Sequence, residues 1–136
     1  MVSYIMICQP TEGLTDEQIC KERRRATNIV KNLGYVVVNS YFNDYIHSEE
    51  ALKAQGVKHV PLSLLSDSIR IMSKVDAVFF TKGWHKAMNG IEDAIANTYN
   101  IPCIFEGDDG SIEKIENRHY YTRVNDAWIL TTDKNE

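Results

Sequence analysis

The residues able to do chemistry in this chain fall in a few short stretches. Two carboxylates lie on segments with helical spacing: Asp67 in Leu64-Leu65-Ser66-Asp67-Ser68-Ile69, and Glu92 in Gly90-Ile91-Glu92-Asp93-Ala94. Between them runs Thr81-Lys82-Gly83-Trp84-His85-Lys86-Ala87-Met88-Asn89-Gly90. A Trp beside a Gly at the end of an apolar run can form a flat wall for a base-like ring, and Lys82 and Lys86 can meet a phosphate. A further stretch, Gln9-Pro10-Thr11-Glu12-Gly13, turns sharply, because Pro10 fixes φ and Gly13 frees it. A helix starting just beyond such a turn offers N–H groups to an anion or a sugar oxygen. Paired carboxylates beside an aromatic wall suit chemistry at a glycosidic bond. One attacks or stabilises the anomeric carbon, and the other orients sugar hydroxyls or moves a proton. Each residue also has an ordinary structural reading. A lone helical Glu is usually a surface residue, and Asp67 is spaced to pair with Arg70. The first loop can be a plain strand-to-helix turn, Trp84 can cap the core, and the lysines can be solvated.

The elements that would position these residues alternate between two hydrophobic periods. Val2–Cys8 is a short apolar run that reads as a buried strand. Thr15-Asp16-Glu17-Gln18 has the form of a capping box. Ile19, Ala26, Ile29, Val30 and Leu33 follow at helical spacing to Gly34, a C-terminal stop. Tyr35–Asn39 is a β-branched second strand. Residues 40–60 read as a loop with a short helix near Glu49–Gln55. Pro61 then opens a helix to about Lys74, with Leu64, Leu65, Ile69 and Met72 as its apolar stripe. Asp76–Phe80 is a third strand, Ala87–Tyr99 a helix, and Ile101–Phe105 a fourth strand whose Pro102 belongs at its start. Gly107–Gly110 is an acidic turn, Ile112–Asn117 a possible short helix, and Ala127–Thr131 the last strand.

This alternation predicts one α/β domain over residues 1–136, a doubly wound, mainly parallel five-stranded sheet in a Rossmann-like or flavodoxin-like three-layer sandwich. Ligands of such sheets bind beyond the carboxyl ends of the strands, where strand order reverses. If the first and third strands flank that point, the loops Gln9–Gly13 and Thr81–Asn89 meet there.

Composition narrows the function classes. With 43% hydrophobic residues the 136-residue chain can close a core, which a disordered chain cannot. Its 15 Lys+Arg against 19 Asp+Glu give a net charge of −4, unlike the basic balance of a polymeric nucleic-acid binder. No apolar run approaches the roughly 20 residues of a membrane span. The three cysteines (Cys8, Cys20, Cys103) match no zinc spacing and fit a reduced, cytoplasmic setting, with Cys8 and Cys103 inside apolar segments. His47, His59, His85 and His119 show no ligand spacing, so no metal or cofactor is expected.

The order Gln9-Pro10-x-x-Gly13, Glu22-Arg23-Arg24-Arg25-Ala26 and Gly34-Tyr35-Val36-Val37 resembles the nucleoside 2-deoxyribosyltransferase-like superfamily, in particular its small branch common in phages and prophages. Pro61-Leu62-x-x-Leu65-x-x-Ser68-Ile69-x-x-Met72-Ser73-x-x-Asp76-Ala77-Val78-x-Phe80 extends the likeness. So do Gly83-Trp84-x-x-Ala87, Ile91-Glu92 and Ala96-x-x-Tyr99-x-Ile101, over about residues 3–106. The resemblance implies cleavage or exchange of the N-glycosidic bond of a (deoxy)nucleoside or its 5'-monophosphate. Glu92 matches the nucleophile, and Asp67 the residue that holds the sugar. The expected ligand-binding set is Cys8, Gln9, Pro10 and Gly13 from the first loop, with Lys82, Gly83, Trp84, Lys86 and Asn89 from the second. The implied partner is a small-molecule nucleoside or nucleotide, without polymeric nucleic acid or membrane, in a host cytoplasm if the chain is phage-encoded. A homo-oligomer is also implied, since relatives complete the pocket with a neighbour's residues. His119-Tyr120-Tyr121 and Trp128 suit such an interface or a core equally.

One departure bears on activity. Related phage proteins carry Gly-Trp-x-x-Ala-x-Gly-Cys-x-x-Glu, and here the Trp84-to-Glu92 interval is one residue short, with Met88-Asn89-Gly90 in that place. One residue in a helix is about 100° of rotation, so either the loop absorbs the deletion or Glu92 leaves the pocket. The family's second acidic residue or serine before the glutamate is also missing. A second reading is therefore a phage protein that keeps the pocket without turnover and sequesters a nucleotide or a nucleotide-derived immune signal. A third is an interaction protein on the same fold.

Overall fold

The computed structural model describes residues 1–42, 44–84, 89–116, 119–124 and 127–132. Its centre is a pair of parallel strands, β1 (Ser3–Cys8) and β3 (Ala77–Phe80). Ile5–Cys8 and all of β3 are buried, the continuous apolar run that a strand covered on both faces requires. β2 (Tyr35–Val38) pairs parallel with the outer side of β1, and β4 (Cys103–Glu106) pairs parallel with β3. With β5 (Ile112–Ile115) antiparallel to β4, the sheet order is β2-β1-β3-β4-β5.

The two-residue period of the strands divides the core into two layers. Ile5, Ile7, Ala77, Phe79 and Ile104 face one side, where Ala26 and Val30 of α1 (Asp16–Asn32) cover them. Met6, Cys8, Val78, Phe80 and Cys103 face the other, against Met72 of α3 (Val60–Met72) and Ala96 of α4 (Asn89–Thr98). Helices on both faces of a mainly parallel sheet make the doubly wound, three-layer α/β arrangement, in the flavodoxin-like strand order. The entry to α1 is the expected capping box: Gln18 N donates to Thr15 Oγ1 at 3.2 Å, and Thr15 N donates to Gln18 Oε1 at 2.9 Å. Its exit is Gly34, at φ +94°, a left-handed backbone that glycine adopts without strain. A short 3-10 turn (Tyr45–His47) and α2 (Glu49–Ala54) link β2 to α3.

The C-terminal third departs from expectation. Ile112–Ile115 is a strand, not the start of a short helix, and it supplies the fifth position of the sheet. The turn before it explains why. Gly107 N donates to Ser111 O at 2.8 Å, Gly110 N donates to Gly107 O at 2.9 Å, and Gly110 takes φ +86°. A reversal that tight lays the following residues antiparallel on the strand just left. The isoleucines of Ile112-Glu113-Lys114-Ile115, three apart, mimic helical spacing. Ala127–Thr131 is indeed strand, within β7 (Ala127–Thr132), but β7 pairs with β6 (His119–Val124) in a separate two-stranded antiparallel sheet. Among the described residues no helix is long and apolar enough to cross a membrane.

Candidate functional site

In this strand order the chain leaves β1 and β3 toward opposite faces, which opens a crevice beyond their carboxyl ends. A cleft of about 440 Å³ lies there, within the size range of small-molecule sites. Its floor is Ile7, Cys8 and Gln9, with Thr11 and Glu12 following. Pro61, Leu64, Leu65 and Ser68 of α3 form one wall; their i, i+3, i+4, i+7 spacing puts them on one helix face. Ser40, Tyr41 and Phe42, after β2, form another, and Ile91 and Glu92 close the cleft from the first turn of α4.

Glu92 meets the floor directly. Cys8 Sγ donates to Glu92 Oε2 at 2.9 Å. Burial pushes the Cys8 thiol well above its usual range, and the neighbouring carboxylate pushes it further. The sulfur is therefore held as a thiol: a hydrogen-bond donor to Glu92 and a poor nucleophile itself. The place of Glu92 near the start of a helix suits a carboxylate, because unpaired N–H groups gather there. Glu92 lines the cleft.

Beside it runs a polar network. Gln9, only 6% exposed, donates Nε2 to Ile19 O at 3.0 Å and turns Oε1 to Arg23. Arg23 donates Nη1 to Gln9 Oε1 and Nη2 to Ser40 Oγ, both at 3.1 Å. Ser40 Oγ in turn donates to Ile7 O at 2.7 Å. Burial lowers the Arg23 pKa from its usual value. Tyr41 donates its hydroxyl to Asp16 Oδ1 at 2.6 Å, which pushes the phenol up to about 12.

The run Arg23-Arg24-Arg25 splits three ways, as successive positions about 100° apart on a helix must. Arg23 lines the cleft, Arg24 is exposed, and Arg25 crosses to the end of β4. There Arg25 donates Nη1 and Nη2 to the two oxygens of Glu106 at 2.6 and 2.7 Å, and it also pairs with Glu22. Glu106 is 4% exposed and held below the usual carboxylate range by Arg25, and it accepts the N–H of Lys82 at 3.0 Å. That bond anchors the loop leaving β3.

Of the residues singled out in the sequence, Cys8, Gln9 and Glu92 come together in the cleft. Pro10 and Gly13 do not line it. Gly13 is exposed at φ +77°, while Pro10 packs toward Gly83, where an added Cβ would sit 3.9 Å from Pro10 Cγ. Lys82 is exposed and tied through its backbone to Glu106. Trp84 packs on Phe80 and Phe105, at ring distances of 5.4 and 5.1 Å, as a core cap. Among the described lining residues the aromatics are Tyr41 and Phe42. Lys86 and the side chain of Asn89 lie outside the described residues. Asp67 is also away from the lining. Its Oδ2 stands 3.5 Å from His47 Nε2, rather than pairing with Arg70. His47 in turn stacks on the cleft residue Phe42 at a ring distance of 4.5 Å.

Arg23, Ser40, Phe42 and the α3 wall were not anticipated as site residues. The α3 residues carried a signal, their helical stripe, which reads equally as core. Among the described residues no three His, Cys, Asp or Glu side chains converge as a metal site would require. Comparison with family models, curated proteins and solved structures gave no match.

Proposed function

We propose that the cleft binds a (deoxy)nucleoside or its 5'-monophosphate and that Glu92 is the nucleophile of an N-glycosidase or deoxyribosyltransferase, as the likeness to the nucleoside 2-deoxyribosyltransferase-like superfamily implies. The observation that supports this is the contact of Glu92 with Cys8 at the wall of a crevice of small-molecule size. A Glu92 oxygen attacks C1' while the C1'–N bond breaks, and that bond's electron pair leaves with the base, which takes up a proton. Water then attacks C1' of the glycosyl ester, restores the Glu92 carboxylate and gives back a proton. The sum is one water consumed, and one free base and one sugar released. In exchange chemistry a second base replaces the water. The Cys8 thiol steadies the carboxylate, and Phe42, Leu64 and Leu65 supply an apolar wall for the base.

The position of Asp67 favours keeping the second reading, a protein that sequesters its nucleotide. The carboxylate expected to hold the sugar engages His47 outside the cleft. One experiment separates the two. Purified protein is incubated with deoxynucleosides and their 5'-monophosphates, free base is followed by chromatography, and binding is measured alongside. The enzyme reading expects base release that Glu92→Gln lowers by roughly three orders of magnitude or more while the ligand still binds. Tight binding without base release, unchanged by Glu92→Gln, refutes the enzyme and leaves sequestration.

A further inference from the structure

Arg23 is a partly buried cation at the cleft wall. Among the described residues its two hydrogen-bond partners, Gln9 Oε1 and Ser40 Oγ, are both neutral, and no carboxylate forms an ion pair with it. Arg25, two positions on, has two carboxylates. A guanidinium stays charged in proteins, and withdrawing that charge from water without a counter-ion is costly. The structure nevertheless holds it between two hydrogen-bonded acceptors. Gln9 is fixed from behind by Ile19 O, and Ser40 by Ile7 O, so both acceptors are oriented before any ligand arrives. The two bonds use two of the five N–H groups and leave three, in a planar fork that matches phosphate oxygens.

The side chain lines the same cleft as Glu92 and the apolar α3 wall. The chain carries a net charge of −4, and Glu12 and Glu92 also line the cleft. An anionic ligand therefore needs a local cation, and Arg23 is the one among the described lining residues.

We propose that the cleft takes its ligand as the phosphorylated form, with the 5'-phosphate of a nucleoside monophosphate on the Arg23 fork and the free nucleoside as the poorer ligand. This rests on the nucleotide reading above. Arg23 is then a residue that decides specificity, and the lysines after β3 are not required for phosphate recognition.

The test is equilibrium binding, by calorimetry, of the four common deoxynucleosides, their 5'-monophosphates and inorganic phosphate to wild type, Arg23→Gln and Arg23→Lys. Wild type is expected to bind the preferred monophosphate roughly ten- to a hundredfold more tightly than its nucleoside, the range for hydrogen bonds to charged groups. Arg23→Gln should erase that difference and leave nucleoside affinity in place. Arg23→Lys should restore part of it, because an ammonium keeps the charge without the fork. Wild type alone offers a second readout if Arg23→Gln does not fold: monophosphate affinity should fall with added salt while nucleoside affinity holds. Equal affinities for the two forms in wild type overturn the proposal, as does equal loss of both on Arg23→Gln. If no nucleoside or monophosphate binds but inorganic phosphate does, in an Arg23-dependent way, the anion site stands and the nucleotide reading falls. If phosphate and the monophosphates all fail to bind, the anion site falls.

Discussion

Glu106→Gln should destabilise the protein by about 2 kcal/mol at neutral pH. The carboxylate is 4% exposed at the end of β4 and accepts three hydrogen bonds, two from Arg25 and one from the backbone of Lys82. The amide keeps one acceptor oxygen and turns an NH2 toward the guanidinium, so at least one Arg25 bond is lost and a donor faces a donor. A hydrogen bond to a charged group is worth about 1.5–3 kcal/mol. Arg25 is 34% exposed and retains Glu22, so solvent and the remaining partner recover part of that. For a chain of this size the loss corresponds to a melting-temperature drop of roughly 5–8 °C. Urea unfolding of both proteins across pH measures it. Arg25 holds the Glu106 pKa below its usual 4.5. The carboxylate's contribution is therefore complete above about pH 4.5 and fades as pH falls through the lowered folded-state value. The gap between wild type and variant should be flat from about pH 8 to 5.5 and narrow toward pH 4. A gap under about 0.5 kcal/mol at pH 7, or one that widens in acid, refutes the account of Glu106 as the anchor of the Lys82 loop.

Two further outcomes test the fold and the floor of the cleft. Under native conditions an alkylating reagent should modify Cys20, which is partly exposed, well before Cys8 and Cys103, which are buried. Peptide mass spectrometry reads the order, and Cys8 labelling as fast as Cys20 would contradict its burial against Glu92. Thr15→Ala should cost about 1 kcal/mol through loss of the capping box, whereas Phe79→Ala, at a fully buried position in β3, should cost about 3–5 kcal/mol. Thermal melts compare the two, and equal losses would mean that the β3 layer is not the core.

Where the outcome depends on local chemistry, the sequence was legible. The Thr15–Gln18 capping box, the Gly34 stop and the strand character of β1, β2, β3 and β4 follow from neighbouring residues, and the parallel pairing of those strands follows from their alternation with helices. So does Pro102, which sits just before β4, where its missing N–H costs no ladder bond; its carbonyl accepts from Val78 N at 3.0 Å. The C-terminal third was not legible in the same way. The Gly107–Gly110 turn is plain in the sequence, but its consequence is a sheet position for residues 112–115, and Ala127–Thr132 finds its partner in His119–Val124. Strand partnership is a non-local choice, and a segment of correct type can serve either sheet.

Trp84 and the α3 stripe show the same limit from opposite sides. Trp84 suited a ligand wall and caps the core on Phe80 and Phe105. Leu64 and Leu65 suited a core and line the cleft. An apolar helix face turned to a cavity and one turned to a packed layer share one periodicity, so spacing alone cannot separate them. What separates them is a segment far away in sequence. Ser40–Phe42 stands across from α3 over the end of β1 and is held there by the Arg23–Ser40–Ile7 bonds and by His47, stacked on Phe42 and near Asp67. The Ser40 hydroxyl that ties this segment to Ile7 also accepts from Arg23 at the cleft wall. Ser40 thus belongs both to the wall facing α3 and to the contacts that place Arg23, so Ser40→Ala should weaken Arg23-dependent anion binding, measured by calorimetry, and unchanged binding would refute that link.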